Sequence, residues 1–443
     1  MNIYIKLEIL SRELKAKMLL GMYAAAKGHQ VLMGDEEILR LIENKKLNPG
    51  IILEKSITPA ESRVNQLKNY NQNKSIVTSL DEETPLSTNN LDLFCEVRFS
   101  KETLNLSKKV FCWSNYDYEV LTKYFPSLKK KFFATGNPRM ELWKEKYNDL
   151  YKSEEIKKKR YIMISSNIGV GLWNSKYSDV IRMLRENGYF KNKQYEKYFF
   201  SWMKYNFSLL HKFTSAIDYL TERFPNYNFL LRPHPSESEE NWENILKKKK
   251  NLKIDKNMDH SYLIQNSEII IHNGCTGGIE GFIRKKKVIS FKPLNEDGVL
   301  EFANQFGYSA KNQVELGDII ETIYDEMEPK KINEELYSKF VSRYGDIIHS
   351  NAIQNIISEW EEYNIIEEKL SRQNNLFLIK IKNKLRFLKN FFIKPIKNEK
   401  FPVFEKKIME KLFNSLKKTD QKLNKVKFDL IGPKLFKLRL SND

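Results

Sequence analysis

Two segments of the chain combine an apolar run with a polar, turn-forming end, and their side chains suit an anion. The first run ends in Arg232-Pro233-His234-Pro235, and the second ends in a glycine-rich stretch from His272 to Gly278. Arginine offers a planar fork of N–H donors to a phosphate, and histidine donates one hydrogen bond or carries a full charge. Together the two segments predict one pocket for a phosphate-bearing ligand.

The glycine-rich stretch is expected to lead from a strand into a helix. Glycines let a backbone approach a ligand closely, and a helix N-terminus presents N–H groups and a partial positive charge to a phosphate. Thr276 could cap this helix, Glu280 could accept from ribose hydroxyls or complement the helix dipole, and Cys275 is expected to be a small buried residue. A tight connection without a ligand is the alternative. The predicted nucleotide-binding residues here are His272, Asn273, Gly274, Thr276, Gly277, Gly278 and Glu280.

Other candidates also follow apolar runs. Ser165-Ser166-Asn167 could bind a phosphate or a sugar hydroxyl, or cap a turn. Asp81-Glu82-Glu83 could supply a nucleophile or a general base, or form a solvated acidic turn. Glu8 and Arg12 lie at the first strand-to-helix junction, and Asn137 and Arg139 follow a later strand. These four side chains are predicted to line a cleft or to orient an acceptor.

A scaffold of parallel strands is needed to bring these ends together, because ligands of open α/β sheets bind at the carboxyl ends of strands. A strand at Ile3–Ile5, a helix from Ser11 and a strand at Gln30–Gly34 form a β-α-β unit, which predicts a parallel sheet. Further strands are predicted at Gly50–Leu53, Ser75–Leu80, Val110–Trp113, Lys131–Thr135, Tyr161–Asn167, Tyr227–Arg232, Glu268–His272 and Lys287–Phe291, with long helices in 176–224 and a helix around Asn351–Tyr363.

The predicted fold class is α/β, with two Rossmann-like domains facing a cleft and a basic α-helical C-terminal tail. A chain of 443 residues is too long for one ordinary core. We expect an acceptor domain over 1–145, a nucleotide-binding domain over 160–335, crossing helices over 336–368 and a basic amphipathic tail over 369–443.

The charge of the chain is concentrated in that tail. Residues 369–443 hold 21 Lys and Arg against 6 Asp and Glu, so they carry +15 of the net +18. The nearly neutral body argues against a nucleic-acid binder. Between Leu376 and Ile393 aromatic and aliphatic residues alternate with lysines, which predicts a helix lying on an anionic membrane or, alternatively, a solvated or partner-packed helix.

The cysteines and the N-terminus indicate a cytoplasmic protein. The three cysteines lack metal-binding spacing and fit reduced thiols. The first residues have no long apolar core, so no signal peptide is expected, and no apolar run is long enough to span a membrane.

Taken together, these segments resemble the bacterial surface carbohydrate (surface polysaccharide) biosynthesis protein family. The matching pieces, spread over about residues 3–295, are Arg12-Glu13-Leu14, Gly28-His29, Asp81-Glu82-Glu83, Phe111-Cys112-Trp113, Thr135-Gly136-Asn137-Pro138-Arg139, Arg232-Pro233-His234-Pro235 and His272-Asn273-Gly274-Cys275-Thr276. That family is distantly similar to the GT-B β-Kdo transferases of capsule and lipopolysaccharide synthesis, which use CMP-Kdo. Unlike the usual acidic motif, which continues into glycine, this one continues into Thr84-Pro85.

The resemblance implies that His234 and Pro235 mark a nucleotide site, with Arg232 and the 272–280 turn beside them. It also implies a catalytic carboxylate among Asp81, Glu82 and Glu83. We therefore expect a glycosyltransferase of the GT-B type that moves a Kdo-like or sialic-acid-like sugar from a CMP-activated donor to a glycan or glycolipid acceptor. No metal, no other cofactor and no nucleic acid are expected, and the enzyme would work at the inner face of the cytoplasmic membrane. A polyol-phosphate transferase using a CDP-polyol and a non-catalytic polysaccharide-assembly scaffold are the alternatives.

Overall fold

The computed structural model describes residues 1–441 except 86–87, 89, 153–159, 170–171, 173–175, 187–189, 191–192, 295–302, 326–333, 347–349 and 364–403. By internal contacts the chain divides into two compact units. The first comprises Met1–Pro85, Phe94–Leu142 and Phe340–Asp443, and the second comprises Leu86–Leu93 and Trp143–Lys339.

Strands and helices alternate through the N-terminal part of the first unit. The strands are β1 (Asn2–Lys6), β2 (Gln30–Gly34), β3 (Ile51–Glu54), β4 (Ile76–Leu80), β5 (Lys109–Cys112) and β6 (Phe132–Ala134). The helices are α1 (Leu10–Ala26), α2 (Glu36–Glu43), α3 (Glu61–Gln72), α4 (Leu91–Arg98), α5 (Lys101–Leu106), α6 (Asn115–Tyr124) and α7 (Pro138–Glu141), with a 3-10 turn at Pro126–Lys131. The six strands pair in parallel in the order β2-β1-β3-β4-β5-β6.

The second unit contains its own sheet. Its strands are β7 (Tyr161–Ser165), β8 (Asn228–Arg232), β9 (Leu252–Ile254), β10 (Ile269–His272), β11 (Lys287–Phe291) and β12 (Tyr308–Ala310). Its helices are α8 (Tyr177–Glu186), α9 (Lys193–Arg223), α10 (Glu239–Leu246), α11 (His260–Asn266), α12 (Thr276–Ile283) and α13 (Gln313–Ile323), followed by α14 (Glu334–Tyr344), with 3-10 turns at Glu145–Leu150 and Ala303–Gln305. The order β12-β11-β10-β7-β8-β9, all parallel, is typical of Rossmann folds.

Apolar runs explain why these segments form strands inside each unit. Parallel strands covered by helices on both faces are apolar at nearly every position. Ile269, Ile270 and Ile271 of β10 are at most 1 % exposed, and Ile51 and Ile52 of β3 are fully buried. The predicted α/β class with two Rossmann-like parts is therefore confirmed, although β9 and β12 were not predicted.

The C-terminal part of the first unit departs from the prediction. It contains α15 (Ala352–Glu361), which is the helix predicted around Asn351–Tyr363, then α16 (Lys406–Lys417), a 3-10 turn at Gln421–Leu423, and the strands β13 (Val426–Gly432) and β14 (Leu435–Leu440). The two strands form an antiparallel hairpin, and β14 pairs antiparallel with β2. The first sheet therefore has eight strands, in the order β13-β14-β2-β1-β3-β4-β5-β6.

This hairpin corrects the predicted tail over 369–443. Helix α16 agrees with the prediction of a helical segment, but its apolar side chains Met409, Phe413 and Leu416 are buried within the unit. Leu435, Phe436 and Leu438 of β14 are fully buried as well. Burial of this apolar surface stabilises a folded hairpin despite the lysines around it. The predicted membrane-binding stretch from Leu376 to Ile393 lies outside the described residues.

Among the described residues no helix is both long enough and apolar enough to cross a membrane.

Candidate functional site

The carboxyl edge of the second sheet brings together three of the predicted strand ends. Ser290, His272, Ser165 and Arg232 are register partners in one row across β11, β10, β7 and β8. Strands β7 and β10 are the neighbours at which the strand order reverses. Ligands of doubly wound sheets bind outside the carboxyl ends of such strands. The row therefore lies where the Rossmann topology places a ligand crevice.

Arg232 is a buried cation without a neighbouring anion. Arg232 is only 7 % exposed, and its Nη1 donates a hydrogen bond to the carbonyl of Pro233 at 2.6 Å. The buried Nε has no hydrogen-bond partner, and no carboxylate of the described residues lies within ion-pair distance of the guanidinium. Burial lowers the pKa of Arg232, and the more distant Asp255 and Asp259 oppose this shift. Because a buried unpaired charge is costly, this side chain is suited to an incoming anion.

His234 lies in the turn that follows Arg232, and its tautomer is set by that turn. The Nδ1 atom accepts the backbone N–H of Ser236 at 3.2 Å and lies 2.8 Å from the Ser236 hydroxyl. The neutral ring must therefore carry its proton on Nε2. The side chain is half-buried, and Pro235 beside it is exposed.

Glu237, which the sequence analysis missed, joins this turn to the loop after β7. It is fully buried, and its Oε1 accepts the N–H groups of Ile168 and Gly169 at 2.8 and 2.9 Å. Its Oε2 accepts from the Trp242 indole at 2.8 Å and from the backbone N–H of His234 at 3.2 Å. The sequence did contain a signal for this role: Glu237 lies three residues after His234, at a spacing that lets its carboxylate accept the backbone N–H of His234.

The Ser166 hydroxyl is part of the same connection. It donates to the Glu237 carboxylate, and Ser166 is only 2 % exposed. The nucleotide contact predicted for Ser166 stays a prediction. Ser165 is different, because its hydroxyl lies 3.2 Å from the Nε2 of His260 and 3.5 Å from the Sγ of Cys275. Asn167 is half-buried beside them.

The glycine-rich turn starts α12 as predicted, but the cap is a different residue. Cys275 is the N-cap, and its Sγ accepts the N–H of Gly277 at 3.4 Å. Gly274 adopts a φ of 65°, which favours glycine, and donates its N–H to the Oδ1 of Asn304 at 2.7 Å. Thr276 is the first helical residue and is half-buried.

Gly277 and Gly278 make room for histidine rings. A Cβ on Gly277 would come within 2.3 Å of the His260 Cε1, and one on Gly278 within 2.1 Å of the His272 Nε2. The predicted close approach at these glycines is therefore to imidazoles of the protein. His260, at the start of α11, is a second residue that the sequence analysis missed.

His272 and Glu280 were predicted to bind the nucleotide; in the structure both side chains have partners within the protein, and their contact with a nucleotide stays a prediction. His272 is fully buried; its Nδ1 accepts the N–H of Cys275 at 3.3 Å and its Nε2 lies 3.2 Å from the Ser290 hydroxyl. Burial lowers the pKa of His272 to about 4. Glu280 is 4 % exposed and accepts from the Nε of Arg284 at 2.9 Å. Both side chains stabilise the turn from inside, whereas the side-chain Oδ1 of Asn273 is buried without a partner.

In the first unit, each of the predicted catalytic carboxylates has a basic partner. Asp81 accepts two hydrogen bonds from Arg98, with the Nε bond at 3.0 Å. Glu83 lies 3.1 Å from Arg12. Glu82 lies 3.0 Å from Lys17 and 3.5 Å from Arg139.

These pairs affect the two buried carboxylates differently. Although burial opposes the shift, Lys17, Arg139 and Arg12 lower the pKa of Glu82 to about 2. Glu82 is therefore ionised at neutral pH and cannot donate a proton. Burial raises the pKa of Asp81, and Arg98 opposes the rise. The role of a nucleophile or general base stays a prediction for these side chains.

Asp117, another residue that the sequence analysis missed, is a buried acid with a strongly shifted pKa. Burial raises its pKa to about 7. Its Oδ2 accepts the N–H of Trp113 at 3.1 Å and its Oδ1 accepts the Thr84 hydroxyl at 2.9 Å. These contacts cap the start of α6, so the position is typical of a structural acid.

The predicted acceptor residues also lie at the carboxyl edge of the first sheet. Glu8 pairs with Lys55 at 2.8 Å. Asn137 caps α7 through its Oδ1, and its Nδ2 is buried without a partner. Arg139 lies over the Trp113 ring at 5.4 Å. A small pocket is lined by Trp113, Gly136, Asn137, Met140, Glu141, Ser350 and Ala352. The acceptor role of these residues stays a prediction.

Among the described residues no group of three or more His, Cys, Asp and Glu side chains is placed to hold a metal ion.

Comparisons with known proteins give similarity only at the level of solved structures. No protein-family model matches the chain, and no curated protein matches it. The chain is similar to Staphylococcus aureus MnaA in a co-structure with UDP, at 15 % identity and a TM-score of 0.48 over 84 % of this chain and 99 % of that one. It is similar to Neisseria meningitidis UDP-GlcNAc 2-epimerase bound to UDP-GlcNAc, at 13 % identity and a TM-score of 0.47 over 82 % and 99 %. A variant of the wall teichoic acid polymerase TagF gives 14 % identity and a TM-score of 0.42 over 72 % and 74 %.

Proposed function

We propose that this chain is a transferase of bacterial surface-glycan biosynthesis that binds a nucleotide-activated sugar at the carboxyl edge of its second sheet. The observation that carries the proposal is the buried guanidinium of Arg232, whose Nε lacks a partner and which has no anion at ion-pair distance among the described residues. A phosphate would supply both the missing acceptor and the missing charge.

Neighbouring groups would complete the phosphate site. Ser165 is the register partner of Arg232 on β7 and would offer a hydroxyl. The N-terminus of α12 follows β10, which pairs with β7, and would add backbone N–H groups and a partial positive charge. The Nε2–H of His234 would donate to a phosphate oxygen. These donors would stabilise the charge that develops on a departing nucleotide.

The finer assignment is a glycosyltransferase with a CMP-linked donor, and it rests on the family resemblance of Arg232-Pro233-His234-Pro235. In this proposal the first unit holds a glycan or lipid-linked acceptor, and Asp81, Glu82 or Glu83 acts on the donor sugar as an ionised carboxylate. The charge of the phosphate is neutralised by Arg232 and His234 without a metal. The enzyme works in the cytoplasm at the inner face of the membrane.

Titration calorimetry with CMP, CDP, UDP and GDP tests the site. Each charge-assisted hydrogen bond contributes about 1.5–3 kcal/mol, so Arg232→Met and His234→Ala should each weaken nucleotide binding by about 10- to 100-fold. Arg160→Met is the matched control, because Arg160 precedes β7 and therefore lies at the opposite, amino edge of the same sheet. Unchanged affinity in Arg232→Met, or no binding of any nucleotide by the intact protein, contradicts the proposal.

Product analysis then assigns the reaction. Sugar release or transfer from a CMP-sugar supports the glycosyltransferase, and polyol-phosphate transfer from a CDP-polyol supports the alternative reaction. Binding of UDP alone, with turnover of a UDP-sugar, would refute the CMP assignment and leave the phosphate site intact. A scaffold predicts that His234→Ala leaves polymer synthesis unchanged in cells.

A further inference from the structure

Helix α9 carries a row of solvent-exposed lysines and phenylalanines on one face. Successive members are three or four residues apart, which places them on the same side of a helix. We call this row the Lys/Phe stripe; its members are Lys193, Lys197, Phe200, Lys204, Phe207 and His211. Phe200 is 47 % exposed and Phe207 is 48 % exposed.

The Lys/Phe stripe is not the face of α9 that packs against the core. The opposite side of α9 supplies the core of the second unit through Leu209, Phe213, Ile217 and Leu220, each at most 2 % exposed. The helix therefore already has a buried apolar face. A second apolar series on the solvent side has no role in that core.

An aromatic side chain that precedes α9 extends the apolar surface of the stripe. The Phe190 ring lies 5.2 Å from the Phe199 ring and 6.4 Å from the Phe200 ring. Exposed apolar side chains are ordinary when scattered, but a continuous group indicates an interaction surface.

The charge around these rings is mostly positive; the acids there are Glu196, half-buried on α9, the exposed Glu186 on α8, and Asp179, which pairs with Arg182 at 2.9 Å. Between Lys193 and Lys212 every exposed charged side chain is a lysine, and no exposed side chain is acidic. On the preceding helix α8 the exposed Met183 lies between Arg182 and Arg185, and the Arg185 guanidinium is 6.0 Å from the Phe190 ring. A partner for this surface must therefore be anionic and must also accept apolar rings.

We propose that the Lys/Phe stripe is a docking surface for an anionic lipid membrane. A helix lying in the plane of a bilayer places phenylalanines at the boundary between headgroups and acyl chains, while lysine stems extend upward and their ammonium groups reach lipid phosphates. The stripe provides both groups at one depth along a single helix. This surface lies in the second unit and consists of residues other than the lysine-rich 369–443.

The same chemistry disfavours two other occupants. A nucleic-acid duplex would satisfy the lysines, but its phosphate backbone offers no apolar partner for Phe200 and Phe207. A second copy of the chain would have to present acidic side chains to this surface, and the stripe itself contains none. An isologous contact of the stripe with itself would bring like charges together.

Vesicle flotation tests the proposal with the intact protein. We expect binding to phosphatidylcholine vesicles that contain phosphatidylglycerol, and little binding to phosphatidylcholine alone. Each lysine near an anionic surface contributes about fivefold to partitioning, so the triple variant Lys193→Gln/Lys197→Gln/Lys204→Gln should bind about 100-fold more weakly. Phe200→Ser/Phe207→Ser should also weaken binding, and should do so at high salt as well, because its effect is not electrostatic.

The matched control removes the same charge elsewhere. Lys101, Lys129 and Lys130 are exposed in the first unit, and Lys101→Gln/Lys129→Gln/Lys130→Gln should retain most of the binding. Thermal unfolding shows whether each variant is folded. Equal losses in the two triple variants, or full binding by the stripe variant, would overturn the proposal. Two other results would also overturn it. In the first, the stripe variant alone loses a salt-sensitive binding of an oligonucleotide but still binds vesicles. In the second, the intact protein forms a dimer that depends on the stripe and does not bind vesicles. None of these readouts depends on nucleotide binding, so the stripe and the proposed function fail or survive separately.

Discussion

Arg232→Met should make the ligand-free protein more stable, although it removes a side chain that we place in the binding site. Methionine matches the unbranched stem of arginine without its charge. The substitution loses the hydrogen bond from Nη1 to the Pro233 carbonyl, at a cost of about 1 kcal/mol. It also removes the desolvation penalty of a cation that is buried without an anion, and this penalty is about several kcal/mol. We expect a net increase of about 1–3 kcal/mol in the free energy of unfolding of the second unit.

Arg284→Met is the matched comparison, because Arg284 is a buried arginine of the same unit with an anion beside it. Its Nε donates to Glu280 at 2.9 Å, its Nη1 donates to Asn148 at 2.6 Å, and it lies 4.6 Å over the Tyr151 ring. Removing it leaves the Glu280 carboxylate buried without a cation. The free energy of unfolding should therefore fall by about 3–5 kcal/mol.

Urea unfolding of both variants, together with thermal melts, measures this difference. Each kcal/mol shifts the melting temperature of a unit of this size by about 2–4 °C, so the two variants should lie on opposite sides of the parent protein. If Arg232→Met destabilises the protein as strongly as Arg284→Met, then Arg232 has a compensating interaction in the folded protein. Such a result would refute an anion site at this strand end.

Two further predictions concern stability in the first unit. The pKa of Asp117 is about 7 in the folded protein and about 3.8 ordinarily, so between these pH values the folded protein holds a proton that the unfolded chain has lost. The free energy of unfolding should therefore fall by at most about 1.4 kcal/mol per pH unit from pH 4 to pH 7. Asp117→Asn should flatten this slope, which urea unfolding at pH 5 and pH 8 would measure. An unchanged slope in the variant would show that Asp117 is not its source. Phe436→Ala should lower the free energy of unfolding by about 3–5 kcal/mol, because the fully buried ring packs against Phe404 and Phe428. Ile408→Ala is the control and should have little effect, because Ile408 is 59 % exposed. Similar losses of stability in both variants would contradict a folded hairpin.

The parallel sheets could be predicted from the sequence because their signal is local. Runs such as Ile269–Ile271 are apolar at every position, and polar residues follow them at once. Once strands are parallel, their carboxyl ends meet at one edge, so the proximity of Ser165 to Arg232 follows from topology alone. The edge of the sheet at which a site is expected can therefore be predicted without any knowledge of side-chain directions.

The direction of each side chain could not be predicted, because it depends on residues that are distant in sequence or on the opposite element. His272 points into the fold since Gly278 leaves space for its ring. The sequence alone leaves Glu280 available for a ligand, whereas in the structure it pairs with Arg284, one helical turn later. Glu237 resembled one more solvated acid in a polar turn, and its role depends on the N–H groups of Ile168 and Gly169 in another loop.

The hairpin at 426–440 was hidden by composition. The whole segment 369–443 is rich in lysine, so its average charge suggested a solvated or membrane-bound tail. The pairing of β14 with β2 joins residues about four hundred positions apart, and it requires Gly34, since a Cβ there would come within 2.3 Å of the Lys434 carbonyl. Neither requirement is visible in a window of neighbouring residues.

The contribution of β14 to the first sheet has a consequence for synthesis of the protein on the ribosome. While residues 143–339 emerge, the outer edge of β2 stays uncovered, with backbone groups that can pair with any extended chain. The second unit can complete its own sheet during this interval, whereas the first cannot until 435–440 arrive. The usual order, in which the earlier domain finishes first, would be inverted here, and nascent chains would need protection at that edge against strand exchange with one another.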